Sequence, residues 1–296
     1  MKKTIDVPFR ELNELNYYAA NTIIIGVADD SHASISFGAS EAPNNLRKLS
    51  SYLPTVDAVG NILKKTKIFD YGNSLGSDDL RQKCGKVLED NKFLIVFGGD
   101  HAISIDSQSS FIRYARKNNL TPVVLHFDAH ADICDSYQDD RDSHACVNYR
   151  ALDHGLLPEN LTMFGIRSYE IQEVNFLSKN KSIRVFDNFE LQNKSVDKVI
   201  DELKKKYNKD NYVVYLSFDI DVIDPSFAPG TGTPETFGLN PVYMRELLIK
   251  IINTFEVKVF DLVEISPDLD INDITSWLGL KLVYEVLSAK IEKNYK

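Results

Sequence analysis

The chain has 296 residues, 43% hydrophobic and 26% charged, the balance of an ordinary soluble globular protein with enough apolar material for a sizeable core. Its net charge of −9 argues against nucleic acid or an anionic lipid surface as a main partner. Three cysteines, Cys84, Cys134 and Cys146, lack C-x-x-C spacing and indicate reduced thiols. With no signal-like N-terminus and no apolar run near the ~20 residues that span a bilayer, a cytoplasmic protein without a membrane segment is expected.

In chain order, short apolar runs rich in β-branched residues predict strands over 22–27, 67–71, 93–97, 122–127, 161–165, 183–187, 212–218 and 257–264. Between them, amphipathic stretches predict helices over 42–51, 77–90, 104–118, 168–178, 195–207, 241–255 and 273–293. Ser77, and Asn240 before Pro241, are candidate N-caps. Regular strand–helix alternation predicts an α/β fold around a mainly parallel sheet. The strands are near-continuous apolar runs, so both faces of that sheet are expected to be covered, and an open sheet is preferred to a closed barrel. No linker or repeat divides the chain, which predicts one domain over 1–296.

Three predicted strands run into clusters of ionisable residues: "FLIVFGGDHAIS", "PVVLHFDAHAD" and "YVVYLSFDIDVIDPSFAPGTGTPE". In an open parallel sheet, ligands bind outside the carboxyl ends of the strands. Alternation in an extended segment would send Asp128, His130 and Asp132 to one face, and likewise Asp219 and Asp221. Joined by His101, they make six candidate ligands, four carboxylates and two imidazoles. Four carboxylates cannot share a small dry site without cations. The mixed donor set suits divalent Mn, Zn or Fe better than Ca or Mg. Six ligands match a bridged pair of ions ~3.5–4 Å apart rather than one. One D-x-H alone is an ordinary cap or turn; three clusters behind three apolar strands are much harder to explain that way.

"GGDHAIS", "HFDAHAD" and "SFDIDVIDPSFAPGTGTPE" resemble the signature motifs of the ureohydrolase family, which includes arginases, agmatinases, guanidinobutyrases and formimidoylglutamases. "DLVEISP", at 261–267, resembles a fourth element, and the likeness runs from about residue 22 to the end. It implies a three-layer α/β/α sandwich, two Mn2+ per subunit, and hydrolysis of a guanidino carbon to urea and an amine. One ion would take His101, Asp128, Asp132 and Asp219; the other Asp128, His130, Asp219 and Asp221. Asp132 would also carry a proton from the nucleophile to the leaving nitrogen. Glu264 would clamp the guanidinium, and His144 would shuttle a proton. His126 lies outside the implied ligand set and takes a supporting place, and His154 lies off the motif.

The substrate expected is a small guanidino compound, with agmatine preferred. Where the resemblance leads to an asparagine in arginases, this chain has Cys134, which counts against arginine. The loop that follows carries Asp135, Asp139, Asp140 and Asp142, which would favour a substrate cationic at both ends. Arg141 or Arg150 could instead receive a carboxylate, as in guanidinobutyrate or formimidoylglutamate. The early loop departs from the family pattern at Ala28, 36–40 and Ala42, while Pro43 and Arg47 stay in register. A one-zinc deacetylase and a non-catalytic assembly subunit are rival readings, opposed by the full ligand set with Glu264 and His144. The family favours trimers and hexamers, so a homo-oligomer is expected.

Overall fold

Apolar runs dense in Val, Ile and Phe become strands in the computed structural model, which describes residues 7–294. They are β1 (Thr22–Gly26), β2 (Ile68–Asn73), β3 (Phe93–Phe97), β4 (Thr121–Phe127), β5 (Leu161–Ile166), β6 (Arg184–Asp187), β7 (Tyr212–Asp219) and β8 (Val257–Val263). The helices are α1 (Ala42–Ser50), α2 (Ser77–Glu89), α3 (Ile103–Lys117), α4 (Val147–Asp153), α5 (Ile171–Lys179), α6 (Asn188–Gln192), α7 (Val196–Lys206), α8 (Pro241–Thr254) and α9 (Ile274–Asn294).

All eight strands join one sheet in the order β2-β1-β3-β8-β7-β4-β5-β6, and every neighbouring pair is parallel. Alternate residues feed two separate cores. Leu125 and Phe127 pack with α1, α7, α8 and α9; Val124 packs with α2 and α3 on the opposite face. This is the expected three-layer sandwich. Stacked rings of Phe127, Phe164 and Phe186 tie β4, β5 and β6 together on the first face.

Two short helices, α4 and α6, escape the periodicity, because seven and five residues are too few to show it. Asn240 does cap α8, its side chain accepting from the Val242 amide at 2.8 Å with Pro241 in the first turn. Ser77 is not a cap. Gly76 holds that position at φ 129°, and the Leu75 amide is satisfied by Asp79 from inside the first turn.

Candidate active site

The four central strands β3, β8, β7 and β4 are neighbours in space, and their carboxyl ends carry His101, Glu264, Asp219 with Asp221, and 128–132 respectively. Gly98 and Gly99 let β3 turn sharply into α3. A Cβ on Gly99 would lie 1.7 Å from the Asp29 carbonyl, so only a residue without one admits the chain after β1. The Asp100 amide then donates to that same carbonyl at 3.0 Å.

All six candidate ligands meet, though not by strand alternation. β4 stops at Phe127, and Asp132 adopts left-handed backbone at φ 48°. Asp221 lies in a 3-10 turn after β7, its amide donating to Asp219 Oδ1 at 2.8 Å. Local hydrogen bonds do the aiming: His130 N–H to Asp128 Oδ1 at 2.6 Å, and Ala129 N–H to Asp221 Oδ1 at 2.9 Å. On one side, His101 Nδ1 faces Asp128 Oδ2 at 3.0 Å, Asp132 Oδ2 at 3.0 Å and Asp219 Oδ2 at 3.3 Å. On the other, His130 Nδ1 faces Asp128 Oδ1 at 3.3 Å and Asp221 Oδ2 at 3.0 Å. Asp128 therefore presents one oxygen to each side.

These residues fit divalent cations. His101 Nδ1, Asp128 Oδ2 and Asp221 Oδ2 are buried with no hydrogen-bond partner among the described residues, although other ligand-type atoms crowd round them. Unpaired buried polar atoms are costly, and lone pairs converging on a common point are what a metal requires. Charge crowding points the same way. Burial, with Asp221 and Asp128 beside it, pushes the Asp219 carboxyl well above the usual carboxylate range. Burial and Asp128 likewise raise Asp221, against the pull of His130. Asp128 goes the other way: burial opposes its charge, but His101, His126 and His130 hold it well below the usual range.

His126 comes closer than a packing residue. Its ring stacks on His101 at 5.0 Å, and Nε2 lies 3.2 Å from Asp128 Oδ2.

Several supporting residues carry no motif of their own. Ser217 Oγ sits 2.9 Å from His101 Nε2 and donates to Asp261, which also accepts from Ser104 and Tyr215. Such a relay fixes the ring orientation of a histidine ligand. Glu173 on α5 accepts from the Ile133 amide at 2.9 Å, anchoring the chain just past Asp132, and burial pushes its carboxyl up to about 7. Arg167 donates to the carbonyls of Asp221, Glu235 and Thr236 at 2.6, 2.8 and 3.0 Å. It thereby ties the end of the 217–235 segment back to Asp221 in the site. No signal short of the fold itself identifies these partners.

Above the cluster lies a pocket of about 360 Å³, lined by Asp132, His144, Glu173, Asp219 and the strap Gly232–Thr233–Pro234–Glu235, among others. Glu264 follows β8 in left-handed backbone at φ 61°. Its Oε1 accepts from the His101 amide at 2.8 Å and lies 3.1 Å from His144 Nδ1. The Ser34 hydroxyl lies 2.8 Å from His144 Nε2, so the divergent early loop does reach the pocket. Burial disfavours the charged His144 ring, but Glu264, Asp132 and Asp100 outweigh it and raise its pKa to about 9.

The acidic loop behaves differently from expectation. Asp135, Asp139, Asp140 and Asp142 do not line this pocket, and neither do Arg141 and Arg150. Both arginines pair with Asp135 and Asp153, and Asp140 pairs with His32 at 2.7 Å. His154 borders a separate pocket with His32 and Asp100.

Residues 20–288 match the arginase family. The chain belongs to the arginase family. It is accordingly a ureohydrolase, a hydrolase of carbon–nitrogen bonds in linear amidines. An agmatinase of Photorhabdus laumondii is 30% identical over 289 residues, covering 93% of this chain and 89% of that one. A guanidinobutyrase of Pseudomonas aeruginosa is 34% identical over 211 residues, covering 70% and 64%. Among solved structures, the agmatine ureohydrolase of Thermoplasma volcanium superposes with a TM-score of 0.83 at 30% identity, covering 97% of this chain and 95% of that one. The arginase-family fold thus extends across nearly the whole chain.

Proposed function

We propose that this ureohydrolase, acting as a single domain over 1–296, hydrolyses agmatine to putrescine and urea with two manganese ions. The observation that carries the substrate is the pocket lining: Glu170, Glu173 and Glu235 border it, with no lysine or arginine among the described lining residues. A substrate cationic at both ends suits such a wall. One ending in a carboxylate would need a free cation, and Arg141 and Arg150 are spent on Asp135 and Asp153. The likeness to agmatinases over 93% of the chain supports the same reading.

In this reading His101, Asp128, Asp132 and Asp219 would hold one manganese, and Asp128, His130, Asp219 and Asp221 the other. Bound divalent ions would supply water ionised near neutral pH. The chain's own groups do the rest. Glu264 spends Oε1 on His101 and His144, which leaves Oε2 for the guanidinium, a charge-assisted contact that both holds and orients it. Asp132 takes the proton of the attacking water and passes it toward the leaving nitrogen. His144, whose charged form Glu264, Asp132 and Asp100 favour against burial, is placed to supply a proton to the departing amine. Ser34 steadies its other nitrogen. The three thiols are free and buried, which supports a reducing, cytoplasmic setting, and we extend the reading to a homo-oligomer, trimeric or hexameric.

Urea release from manganese-loaded protein, measured across agmatine, arginine and 4-guanidinobutyrate alongside formamide release from formimidoylglutamate, tests this. Agmatine is expected to give the highest kcat/KM. No urea from agmatine overturns the assignment.

A further inference from the structure

Three glutamates border the pocket beside the ligand cluster, and two are already committed. Glu173 accepts the Ile133 amide with one oxygen and the Glu170 amide with the other, both at 2.9 Å. The Glu170 side chain turns back to cap α5 in a reciprocal capping box with Glu173. Glu235 is different. Its carboxylate makes no hydrogen bond among the described residues: His130 Nε2, at 3.7 Å, is too far for one, and the nearby Arg167 guanidinium spends its hydrogen bonds on backbone carbonyls. The side chain is 38% exposed and stands at the pocket edge.

The backbone beneath it is fixed. Arg167 holds the Glu235 carbonyl at 2.8 Å and the Asp221 carbonyl at 2.6 Å with a single nitrogen, which ties the strap to the ligand segment. The other end of the strap approaches Glu264: a Cβ on Gly232 would lie 3.7 Å from Glu264 Oε2. Two residues, Thr233 and Pro234, separate Gly232 from Glu235, so the two Cα atoms are at most ~11 Å apart. That is the order of length of a four-carbon chain with a nitrogen at each end.

We propose that Glu235 is the specificity-determining residue, taking the distal ammonium of a diamine-like substrate whose guanidinium lies at Glu264. This rests on the agmatine reading above. A half-buried carboxylate without a partner gains a charge-assisted hydrogen bond from an ammonium. The same carboxylate repels a substrate ending in a carboxylate, so one side chain both selects and rejects.

The test compares manganese-loaded wild type with Glu235→Gln on agmatine and on butylguanidine, which has the same guanidine but no ammonium. The ratio of kcat/KM for agmatine to that for butylguanidine is expected to fall about 10- to 100-fold, mostly through KM. Glu235→Asp should recover part of the ratio. Glu235→Lys should raise 4-guanidinobutyrate relative to butylguanidine. Equal losses on both guanidines, with a drop in bound manganese by elemental analysis, would mean that Glu235 acts through His130, and would overturn the proposal. If wild type turns over agmatine well and the ratio does not move in Glu235→Gln, the specificity assignment alone falls. If wild type releases urea from neither compound, the functional reading falls with it.

Discussion

Glu264 and His144 meet through one carboxylate oxygen: Oε1 lies 3.1 Å from His144 Nδ1 while also accepting the His101 amide at 2.8 Å. The contact couples the proposed substrate clamp to the proposed proton donor. Replacing His144 by Gln keeps a polar group near Glu264 but removes the titratable proton. Urea release from the manganese-loaded variant is expected to fall about 10²- to 10⁴-fold, measured at saturating substrate.

The same pair predicts a pH dependence in protein stripped of metal by chelation. The folded-state pKa of His144 is raised, so its stabilisation is complete below the ordinary value of 6.5 and is lost as pH rises through about 9. The gap in thermal midpoint between wild type and His144→Gln should therefore close across that interval. A gap that widens with pH would contradict the sign.

Asp128 offers one oxygen to each half of the cluster. Asp128→Asn removes the charge both halves share while keeping the shape. Elemental analysis should find the variant emptied of manganese. Two ions retained per chain would mean that Asp128 does not bridge.

The Ser217–Asp261 relay behind His101 gives a gentler perturbation. Ser217→Ala leaves His101 Nε2 without its partner at 2.9 Å and removes one of the donors to buried Asp261. Metal affinity should weaken about 10- to 100-fold, read by competition with a chelating dye.

Gly99→Ala tests packing rather than chemistry. Its Cβ would meet backbone, the Asp29 carbonyl at 1.7 Å, which cannot swing aside as a side chain end would. Destabilisation of about 3 kcal/mol or more is expected in urea denaturation.

Sequence reading picks out residues that the fold brings together where ionisable groups are concentrated. His101, Asp128, His130, Asp132, Asp219 and Asp221 stand out because ionisable residues directly behind apolar strands have no ordinary structural use. It reaches them partly by the wrong route, since left-handed Asp132 and the 3-10 turn at Asp221 follow no alternation. Ser217, Asp261, Glu173 and Arg167 stay hidden for a different reason. Each acts by a hydrogen bond to a group far along the chain, 44 positions away for Ser217 to Asp261 and 40 for Ile133 to Glu173, and such pairings exist only once the sheet order is fixed. The acidic loop misleads for the converse reason: Asp135 is paired with Arg141 and Arg150 and Asp140 with His32, and none of its four aspartates lines the pocket.

β8 lies between β3 and β7, so a late segment of the chain is inserted into the middle of the sheet. Until it docks, β3 with His101 and the β4–β7 pair with Asp128 and Asp219 have no common edge. The closing contact, Glu264 to the His101 amide, spans 163 positions. Loop closure over such distances is slow, and a chain emerging from the ribosome can form the β1–β2–β3 and β4–β5–β6–β7 groups before the strand that joins them exists. If the cluster holds the two ions proposed for it, their capture would be a late event in biogenesis, and a nascent chain lacking β8 is expected to bind no paired ions however well its earlier strands are formed.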